Sequence, residues 1–526
     1  MKVLVSDNLG EVGIQMFKDE DGLSVDVKTG LPPEELEEII GQYHALVIRS
    51  ATKVTESLLR RAKLLKVVGR AGIGLDNVDI PAATKRGIVV MNTPGGNVVT
   101  TAEHTIAMML SLSRNIPAGT TTMKSGLWEK KKLQGREIYN KILGVIGFGK
   151  IGSIVADRAR GLRMRVVVHD PIVTPEQIEK AGFESVSLDE LYRRADYITV
   201  HVPKLKSTVD LLDKAAFAKM KDGVMVINCA RGGIINEPDL HEAIVSGKVA
   251  GAALDVFEQE PPKASPLFDL DRIVCTPHLG ASTREAQTNV AVSVAEQIID
   301  CLKTGTIVNA VNVPSVTGDL LKKMSPLLSL GEKMGSLQAQ LICGPLEEVV
   351  IEYKGDFQDL DMAPVSTALM KGLMTPMVKD EVNFVNAKAL AQEMGIKITE
   401  SVNAESEDYL NLISVQVRST EMTSTVSGTI FGKQDPRIVK INKFRLEMIP
   451  LGHMVLIHNI DRPGSIGEIG TTLGKNSINI GRMQVGQEEG GDRNIIFIQT
   501  DTQISDAVMA EIRNLGSVKT AIPLEF

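Results

Sequence analysis

The segment formed by residues 141–171 constrains the fold of this chain more than any other. An apolar run at 142–146 leads into the turn GFGKIG at 147–152, and a helical pattern follows. A second apolar run, Met164–Val168, ends just before Asp170, which lies 23 positions beyond the first glycine. Strand, glycine turn, helix and strand in this order, with an acidic residue at that distance, are typical of a dinucleotide-binding βαβ unit.

Each conspicuous residue of this unit has a physical purpose. Gly147 permits a tight turn, Gly149 lets backbone N–H groups approach a pyrophosphate, and Gly152 lets the helix pack against the strand. The N-terminus of the helix favours an anion, because its N–H groups lack partners. Asp170 would bind the adenosine ribose hydroxyls and repel a 2′-phosphate, so the sequence predicts NAD rather than NADP. For the glycine turn alone, an ordinary turn without a ligand is the alternative.

Composition limits the class of protein. A chain of 526 residues is long enough for about three or four domains, and its 43% hydrophobic and 23% charged residues are ordinary for a soluble globular enzyme. The formal net charge of −7 favours neither nucleic acid nor an anionic membrane as a partner. No apolar stretch is long enough to predict a membrane span. The four cysteines lie far apart, without CxxC spacing or a nearby His pair, so we expect no metal site and a reducing, cytoplasmic location.

Residues 1–97 are predicted to form a substrate-binding α/β domain. Apolar runs alternate there with polar helical segments, which favours a parallel sheet. The runs are Lys2–Val5, Ala45–Ile48, Leu65–Val68 and Ile88–Met91. Loops of small residues and glycines follow three of them, at 49–52, 70–74 and 92–97, and such loops expose backbone N–H groups that bind anions. Any one loop alone is better explained by ordinary turn chemistry, but three at equivalent strand ends favour a site.

Two long helices are predicted to connect this domain to an NAD-binding domain at 98–281. Capping-box sequences mark their starts, at Thr100–Glu103 and at Ser282–Glu285. The first helix begins where the strands of the first sheet end and before those of the second sheet start. The second helix begins after the last strand of the second sheet, where the chain returns to the first domain. We therefore expect the chain to cross twice between two domains, with residues 282–314 completing the first domain and a cleft between the two.

The NAD-binding domain is predicted to contain a doubly wound parallel sheet. Six apolar runs match the strand count of that fold. The runs are Ile142–Ile146, Met164–Val168, Tyr197–Val202, Val224–Asn228, Val249–Leu254 and Ile273–Thr276. Ligands of such sheets bind outside the carboxyl ends of the strands. Arg231 follows the fourth run, Glu258 and Glu260 follow the fifth, and His278 follows the sixth.

These side chains suit the oxidation of a hydroxy acid beside a nicotinamide. The planar fork of Arg231 matches a carboxylate, and His278 can take a proton from a hydroxyl as hydride leaves the carbon. A neighbouring carboxylate would orient the imidazole and stabilise its charged form. Taken separately, Arg231 and the two glutamates are explained as surface charges, and His278 as a structural histidine whose ring nitrogens are hydrogen-bonded within the fold. Their occurrence at one sheet edge favours a catalytic site.

The chain resembles the D-isomer-specific 2-hydroxyacid dehydrogenases, in particular their long 3-phosphoglycerate-oxidising members, over residues 1–314. The matching stretches are Gly147–Gly152, His169–Pro171, Asn228–Gly232, Ala253–Pro261, Thr276–Ala281, Arg70–Asn77 and Val90–Gly95. The resemblance implies an α/β fold, with a Rossmann-type doubly wound parallel sheet plus a flavodoxin-like substrate domain. It also implies an NAD-dependent oxidoreductase acting on CH–OH.

The same resemblance implies roles for individual residues. Arg231 would hold the substrate carboxylate, His278 would be the acid/base, and Glu260 would be its partner. The implied cofactor-binding residues are Ile73, Gly147, Gly149, Lys150, Ile151, Gly152, Asp170, Val202, Cys229, Ala230, Arg231, Asp255, His278, Gly280 and Ala281. The implied substrate-binding residues are Arg49, Ser50, Gly74, Asn97, Arg231 and His278.

Residues 315–450 are predicted to form an intervening α+β domain of the kind found in the long members of the family. Strand-like runs at Glu348–Tyr353, Leu412–Val417 and Ile438–Phe444 alternate with helical stretches such as Ala387–Gly395. The composition of this region indicates only an α+β module, and anion binding is one interpretation of its role.

Residues 451–526 carry the pattern strand, helix, strand, strand, helix, strand. The segments are Met454–Ile460, Ser465–Gly474, Ile478–Val485, Asn494–Gln499, Asp506–Asn514 and Val518–Pro523. This order is typical of a ferredoxin-like βαββαβ unit and resembles an ACT regulatory domain. Asn459, Asp461 and Asn479 are then implied to bind the effector L-serine at an interface between two tails. The alternative is a dimerisation module without a ligand.

The resemblance as a whole implies oxidation of 3-phospho-D-glycerate to 3-phosphohydroxypyruvate, the first step of L-serine biosynthesis, by an allosteric homo-oligomer, either a dimer or a tetramer. One alternative is another reductase of the same family, acting on glyoxylate, hydroxypyruvate or 2-oxoglutarate, although such an enzyme has little need of a serine-sensing tail. The other is an NAD-sensing corepressor, but the sequence shows neither long disordered tails nor a partner-recognition cleft.

Overall fold

Three β-sheets, of five, seven and ten strands, organise the chain. The computed structural model describes residues 1–314, 318–357, 360–379, 381–405, 409–432, 434–488 and 493–526, and for 318–322 the backbone alone. The first two sheets lie within residues 1–314 and the third lies in the remainder. Among the described helices, none is both long enough and apolar enough to cross a bilayer.

The first sheet belongs to the substrate-binding half and is parallel. Its strands are β1 (Lys2–Val5), β2 (Ser24–Val27), β3 (Ala45–Ile48), β4 (Val67–Arg70) and β5 (Val89–Asn92). The order β2-β1-β3-β4-β5 confirms the predicted flavodoxin-like arrangement. The helical segments of this half are α1 (Glu11–Asp19), α2 (Pro33–Ile39), a 3₁₀ turn at Ile40–Gln42, α3 (Glu56–Arg61) and α4 (Ile80–Lys85). The sequence did not predict β2, because this largely exposed edge strand has no apolar run.

The second sheet has seven parallel strands and confirms the predicted Rossmann-type fold. The helices of this half are α5 (Val98–Ser113), α6 (Ile116–Lys124), α7 (Lys150–Gly161), α8 (Pro175–Lys180), α9 (Leu188–Arg194), α10 (Lys214–Lys219) and α11 (Glu237–Val245), with a 3₁₀ turn at Pro266–Asp269. The strands are β6 (Ile142–Ile146), β7 (Arg165–His169), β8 (Glu184–Ser185), β9 (Tyr197–Val200), β10 (Val224–Asn228), β11 (Val249–Leu254) and β12 (Ile273–Cys275). Their order is β8-β7-β6-β9-β10-β11-β12. Only β8 was not predicted, because two residues are too few to form a pattern.

Helices α5 and α12 (Arg284–Thr304) connect the two sheets. Helix α12 packs against α1 and β4 of the first sheet, whereas α5 packs against α7 and β11 of the second. The predicted capping box at Thr100–Glu103 is wrong, because α5 already begins at Val98 and the segment lies inside the helix. Helix α12 begins within the predicted segment, but its capping side chain is Thr283 rather than Ser282.

The third sheet spans the C-terminal part of the chain. Its strands are β13 (Leu346–Gly355), β14 (Lys397–Asn403), β15 (Asn411–Ser419), β16 (Thr423–Phe431), β17 (Asp435–Ile441), β18 (Phe444–Met448), β19 (His453–Ile460), β20 (Ile480–Glu488), β21 (Arg493–Thr500) and β22 (Val518–Glu525). The order is β14-β13-β15-β16-β17-β18-β20-β21-β19-β22. The helices are α13 (Gly318–Leu341), α14 (Ala363–Met374), α15 (Ala387–Glu393), α16 (Ser465–Lys475) and α17 (Asp506–Arg513).

The last four strands and the helices α16 and α17 form the predicted βαββαβ unit, with the strand order β20-β21-β19-β22. Strands β18 and β20 pair through Phe444 with Glu488 and Arg445 with Gln487. The regulatory unit is therefore joined edge to edge with the intervening region in one continuous sheet.

One predicted strand of the intervening region is wrong. The segment Ile438–Phe444 is not a single strand, because it contains the turn between β17 and β18. Asn442 adopts a φ of 51° in this turn, and its side-chain oxygen accepts a hydrogen bond from the N–H of Thr425 at 2.8 Å. Asparagine is among the few residues that tolerate this left-handed conformation. The predicted strands Glu348–Tyr353 and Leu412–Val417 lie within β13 and β15 and are confirmed.

Candidate active site

The turn between β6 and α7 has the geometry that a pyrophosphate requires. Gly147 has a φ of 95°, and a Cβ at Gly152 would lie 1.9 Å from the carbonyl oxygen of Gly147. Both positions therefore need glycine. Gly149 and Lys150 are exposed, and no side chain caps the N-terminus of α7. Its first N–H groups remain available to a phosphate, so the residues present fit a dinucleotide.

Asp170, directly after β7, is fixed beside this turn. Its Oδ2 accepts a hydrogen bond from the N–H of Phe148 at 2.6 Å, and its Oδ1 accepts from Ile172 and Val173 at 2.7 and 2.9 Å. Burial by itself would raise the pKa of Asp170, but these backbone N–H groups hold it below its usual value. The carboxylate is therefore ionised and oriented, as recognition of ribose hydroxyls requires.

The structure brings His278 and Glu260 together. The Nδ1 atom of His278 lies 2.7 Å from Oε2 of Glu260, whose Oε1 accepts a hydrogen bond from the N–H of Phe257 at 3.1 Å. Burial by itself would raise the pKa of Glu260, but the hydrogen bond and charge of His278 hold it below its usual value. An ionised Glu260 requires a hydrogen on Nδ1, which leaves Nε2 of His278 as the nitrogen that can take a proton.

Asp255, at the end of β11, holds the loop that carries His278. Its buried carboxylate accepts hydrogen bonds from the hydroxyl of Thr276 at 2.5 Å and from the N–H groups of Leu279 and Gly280 at 2.7 and 2.8 Å. Its carbonyl oxygen accepts from the N–H of His278 at 2.9 Å. These bonds accompany a φ of 53° at His278, a left-handed conformation that is uncommon for residues other than glycine. The sequence assigned Asp255 to the cofactor, whereas the structure shows its carboxylate engaged with this loop.

Arg231, just after β10, reaches across to the substrate-binding half. Its Nε donates a hydrogen bond to Oδ2 of Asp76 at 3.1 Å, and its Nη1 donates to the carbonyl of Ala230 at 2.7 Å. A Cβ at Gly74 would lie 1.9 Å from its Nη2. The guanidinium therefore lies at the boundary between the two halves, where it already binds one carboxylate.

Two further arginines lie on the substrate side of this boundary. The Nε of Arg70 donates a hydrogen bond to the carbonyl of Arg49 at 3.3 Å. Burial, and repulsion from Arg231 and Arg49, lower the pKa of Arg70 to about 10. The attraction of Asp76 and Asp7 raises this pKa, but by less. Three guanidinium groups that repel one another form a site that attracts an anionic ligand.

Asn97, the N-cap of α5, presents an unpaired acceptor in this region. Its side-chain oxygen is buried and has no hydrogen-bond partner among the described residues. Such atoms are rare in folded proteins, and a ligand is one explanation for them. The hydroxyl of a substrate would supply the missing donor. Ser50, which follows Arg49, is exposed and able to contact a ligand.

Comparison with known proteins assigns the chain to a family. Family models match at residues 106–280 (D-isomer specific 2-hydroxyacid dehydrogenase, NAD binding domain), 323–442 (D-3-phosphoglycerate dehydrogenase intervening domain) and 453–517 (ACT domain). The D-3-phosphoglycerate dehydrogenase of Archaeoglobus fulgidus is 44% identical over 100% of both chains, and that of Bacillus subtilis is 43% identical over 98% of both. The chain belongs to the D-3-phosphoglycerate dehydrogenase family.

A solved structure of another dehydrogenase is similar to part of this family member. The structure of D-lactate dehydrogenase from Aquifex aeolicus, complexed with NAD and lactic acid, has a TM-score of 0.53 and 28% identity. It covers 60% of this chain and 100% of its own. The similarity thus covers more than half of the chain, and the family model matched at residues 106–280 makes NAD the cofactor.

The remaining residues predicted to bind NAD lie at the carboxyl edge of the second sheet, with one exception. Val202 follows β9, Cys229 and Ala230 follow β10, Ala281 follows β12, and Ile151 lies in the first turn of α7 after β6, whereas Ile73 lies in the loop after β4. Cys229 is buried, and burial raises the pKa of its thiol to about 12. Its side chain packs in the hydrophobic core of this half as a protonated thiol.

Sequence reasoning missed three residues around the site of this dehydrogenase. Arg70 is the last residue of β4, and Asp76 lies in the loop that follows it, so the position after a parallel strand was a usable signal. His104, which contacts Asp255 and Thr276, lies in the middle of α5. No local pattern marks it.

The structure separates the residues predicted to bind serine within one ACT domain. Asn459 and Asp461 lie at the C-terminal end of β19, which pairs with the start of β21. Asn479 precedes Ile480, which pairs with Thr500 at the far end of the same strand. The side-chain oxygen of Asn459 is buried without a hydrogen-bond partner among the described residues. A site that uses all three residues needs two tails.

Proposed function

We propose that the chain oxidises 3-phospho-D-glycerate to 3-phosphohydroxypyruvate with NAD, the first step of L-serine biosynthesis. The observation that carries this proposal is the cluster of Arg49, Arg70 and Arg231, whose last member lies next to Gly232, which packs on the loop of Glu260 and so adjoins the pair of His278 and Glu260. Three cationic groups match a substrate that is anionic at both ends, with a carboxylate and a phosphate. The full-length similarity to D-3-phosphoglycerate dehydrogenases of two organisms supports the same substrate.

Each site residue has a distinct task in this reaction. Arg231 holds the substrate carboxylate through its planar fork, and Arg49 and Arg70 hold the phosphate. His278 takes the hydroxyl proton at Nε2, while Glu260 stabilises the resulting imidazolium through the hydrogen on Nδ1. NAD, when bound, accepts the hydride. Since Glu260 is ionised, its negative charge lies beside the imidazole as the positive charge develops.

The packing of two loops keeps these groups together. A Cβ at Gly232, next to Arg231, would lie 1.7 Å from the carbonyl oxygen of Phe257. The loop after β10 thus lies directly on the loop after β11, which carries Glu260. Carboxylate binding and proton transfer are therefore served by adjacent loops of one sheet edge, as in other doubly wound folds.

An assay of NADH formation tests the proposal. The enzyme should oxidise 3-phosphoglycerate with a kcat/KM at least about 10- to 100-fold above that for D-glycerate or D-lactate, because a substrate without phosphate leaves the partly buried, mutually repelling cations of Arg49 and Arg70 without an anionic ligand. Reverse assays with glyoxylate, hydroxypyruvate and 2-oxoglutarate examine the alternative reductases. A higher kcat/KM for any of these than for 3-phosphohydroxypyruvate would overturn the proposal.

We also infer that the enzyme is a homo-oligomer that binds L-serine through its ACT domains. Helix α6 has no buried residue, and large apolar side chains are exposed on it and on the segment that follows. They are Ile116, Met123, Leu127, Trp128 and Tyr139, with exposed fractions between 52% and 79%. An apolar surface of this kind indicates contact with another chain, and a second copy is the occupant we propose. An oligomer also supplies the second tail that a site formed by Asn459, Asp461 and Asn479 needs.

A further inference from the structure

Helix α5 carries a histidine that no step of the proposed reaction uses. The side chain of His104 is 19% exposed, and its Nε2 lies 3.2 Å from Oδ1 of Asp255. The same nitrogen lies 3.2 Å from the hydroxyl oxygen of Thr276. Helix α5 packs against β11 and β12, the strands from which the residues around His278 emerge. His104 therefore contacts the residues that hold the loop of His278.

The hydrogen bonds define which atom carries the hydrogen. The hydroxyl of Thr276 gives its hydrogen to Asp255 at 2.5 Å, and the carboxylate of Asp255 can only accept. Nε2 of His104 therefore has to be a donor. Burial by itself would raise the pKa of Asp255, but the hydrogen bonds from His104 and Thr276 and from the N–H of Leu279 hold it below its usual value. Removing one donor from a fully buried carboxylate leaves part of its charge unsatisfied.

The first turns of α5 also connect this cluster to the substrate side. The hydroxyl of Thr101 lies 3.0 Å from the carbonyl oxygen of Asn97 and 3.0 Å from that of Gly280. Asn97 is the N-cap of α5 and a predicted substrate residue. The helix thus holds the loop of His278 at two points, through Thr101 and through His104, and a displacement of α5 would move Asn97 as well.

We propose that His104 is a positioning residue for this dehydrogenase. Its Nε2–H, together with the hydroxyl of Thr276, orients the carboxylate of Asp255, and Asp255 in turn holds His278 in its left-handed conformation beside Glu260. The proposal rests on the proposed function, because it takes His278 as the acid/base of the oxidation. Since His104 touches neither substrate nor cofactor in this arrangement, its loss should lower kcat and leave KM and the affinity for NAD nearly unchanged.

Three variants of the full-length enzyme test this role. His104→Met removes the donor at similar volume, His104→Gln keeps an N–H donor near the position of Nε2, and Thr276→Val removes the bridging hydroxyl from the other side. We expect kcat to fall about 10- to 100-fold in His104→Met and Thr276→Val, as for a misplaced catalytic group, with KM and the Kd of NAD within about threefold. His104→Gln should recover most of kcat. Thermal unfolding of each variant shows whether the fold is kept.

Amide hydrogen exchange provides a readout that does not depend on turnover. The N–H groups of His278, Leu279 and Gly280 all donate hydrogen bonds to Asp255, the first to its carbonyl oxygen and the other two to its carboxylate. Their exchange should be faster in His104→Met than in the wild type, and close to the wild type in His104→Gln, because only the former loosens Asp255. Faster exchange along the whole chain would instead show a general loss of stability and would contradict the proposal.

Other outcomes overturn the proposal equally clearly. An unchanged kcat in His104→Met, or equal losses in the Met and Gln variants, would show that the donor is not needed. A loss of NAD affinity in proportion to kcat would show that His104 only supports the fold. If the wild-type enzyme forms no NADH from 3-phosphoglycerate, the proposed function fails instead, and the hydrogen-exchange comparison still decides the role of His104.

Discussion

At the scale of single residues, the backbone of His278 limits what can replace it. The residue has a φ of 53°, a conformation that is uncommon for residues other than glycine and least so for asparagine, aspartate and histidine. Asparagine is therefore the substitution that removes the imidazole with the least strain on the loop. This choice separates the loss of proton transfer from a displacement of the loop.

We expect His278→Asn to lower kcat with 3-phosphoglycerate by about 10²- to 10⁴-fold, the range typical of a lost general base. The Kd of NAD, measured by calorimetry, should change little, because the glycine turn and Asp170 remain intact. Glu260→Gln is the matched control and should lose less, since Gln still accepts a hydrogen bond but carries no charge. A kcat near that of the wild type in His278→Asn would show that another group moves the proton.

Asp170→Ala should weaken NAD binding and reduce the discrimination against NADP. The variant loses both the ribose hydrogen bonds and the negative charge that repels a 2′-phosphate. It also frees the N–H groups of Phe148, Ile172 and Val173, so NAD affinity alone is not diagnostic. The measurement is the ratio of kcat/KM for NAD to that for NADP, with Asp170→Asn to separate charge from shape. An unchanged ratio would mean that another residue selects the cofactor.

The site residues that the sequence predicted differ from those it missed in what places them at the site. Arg231, Glu260 and His278 each follow a buried strand, so the rule for parallel sheets placed them at one edge. Asp76 and His104 reach the site through the approach of segments far apart in the sequence. Asp76 meets Arg231 only because two domains adjoin, and His104 meets Asp255 only because α5 packs on the second sheet.

At the scale of elements, the sequence predicted most buried strands, although it missed the buried strand β16, and it also missed three strands that are exposed or very short. Strand β2 is largely exposed, β8 has two residues, and most residues of β14 are exposed. None of them has an apolar run, and each lies at an edge of its sheet, where one neighbour supplies all of its pairing. The prediction of one strand across β17 and β18 was wrong for another reason. The turn between them is short and has an apolar residue on each side, so the sequence shows one continuous apolar run.

The segment after α6 gives a prediction at this scale. Trp128 is 79% exposed and precedes the basic run at 130–132, and we predict that this segment reaches the cleft of a neighbouring subunit. If it does, Lys130→Ala should raise KM for 3-phosphoglycerate without changing the Kd of NAD. Lys132→Ala is the matched control, because its Nζ is already paired with Glu129 at 2.6 Å. An unchanged KM in Lys130→Ala would leave the segment as a surface loop with an anchoring aromatic.

At the scale of the whole molecule, the regulatory unit reaches the catalytic half through the intervening region. The intervening region contacts the substrate half through an ion pair of Lys85 with Glu393 at 3.0 Å. The side-chain N–H of Asn383 also donates to the carbonyl of Gly87 at 3.0 Å. Both contacts join α4 and its following turn to the segment that contains α15. An effector bound to the tail would therefore act on the position of the substrate half relative to the NAD-binding half.

We expect L-serine to bind the full-length enzyme and to lower its activity with a coupling of about 1–3 kcal/mol, or about 5- to 150-fold in affinity. Serine can do this only if it binds the open and closed forms of the cleft unequally. Calorimetry and NADH assays on the full chain measure the two effects, with D-serine as the control. Asn479→Ala should keep the activity and lose the sensitivity to serine. If millimolar serine neither binds nor inhibits, the tail is an assembly module.

The joint between β18 and β20 has a consequence for shortened forms of this enzyme. Removing residues 451–526 would take away β20 and leave the outer N–H and C=O groups of β18 without a strand beside them. A bare strand edge recruits any compatible chain, including another copy of itself. An enzyme that lost only this tail is therefore expected to aggregate through the bare edge of β18, in addition to any effect on its activity.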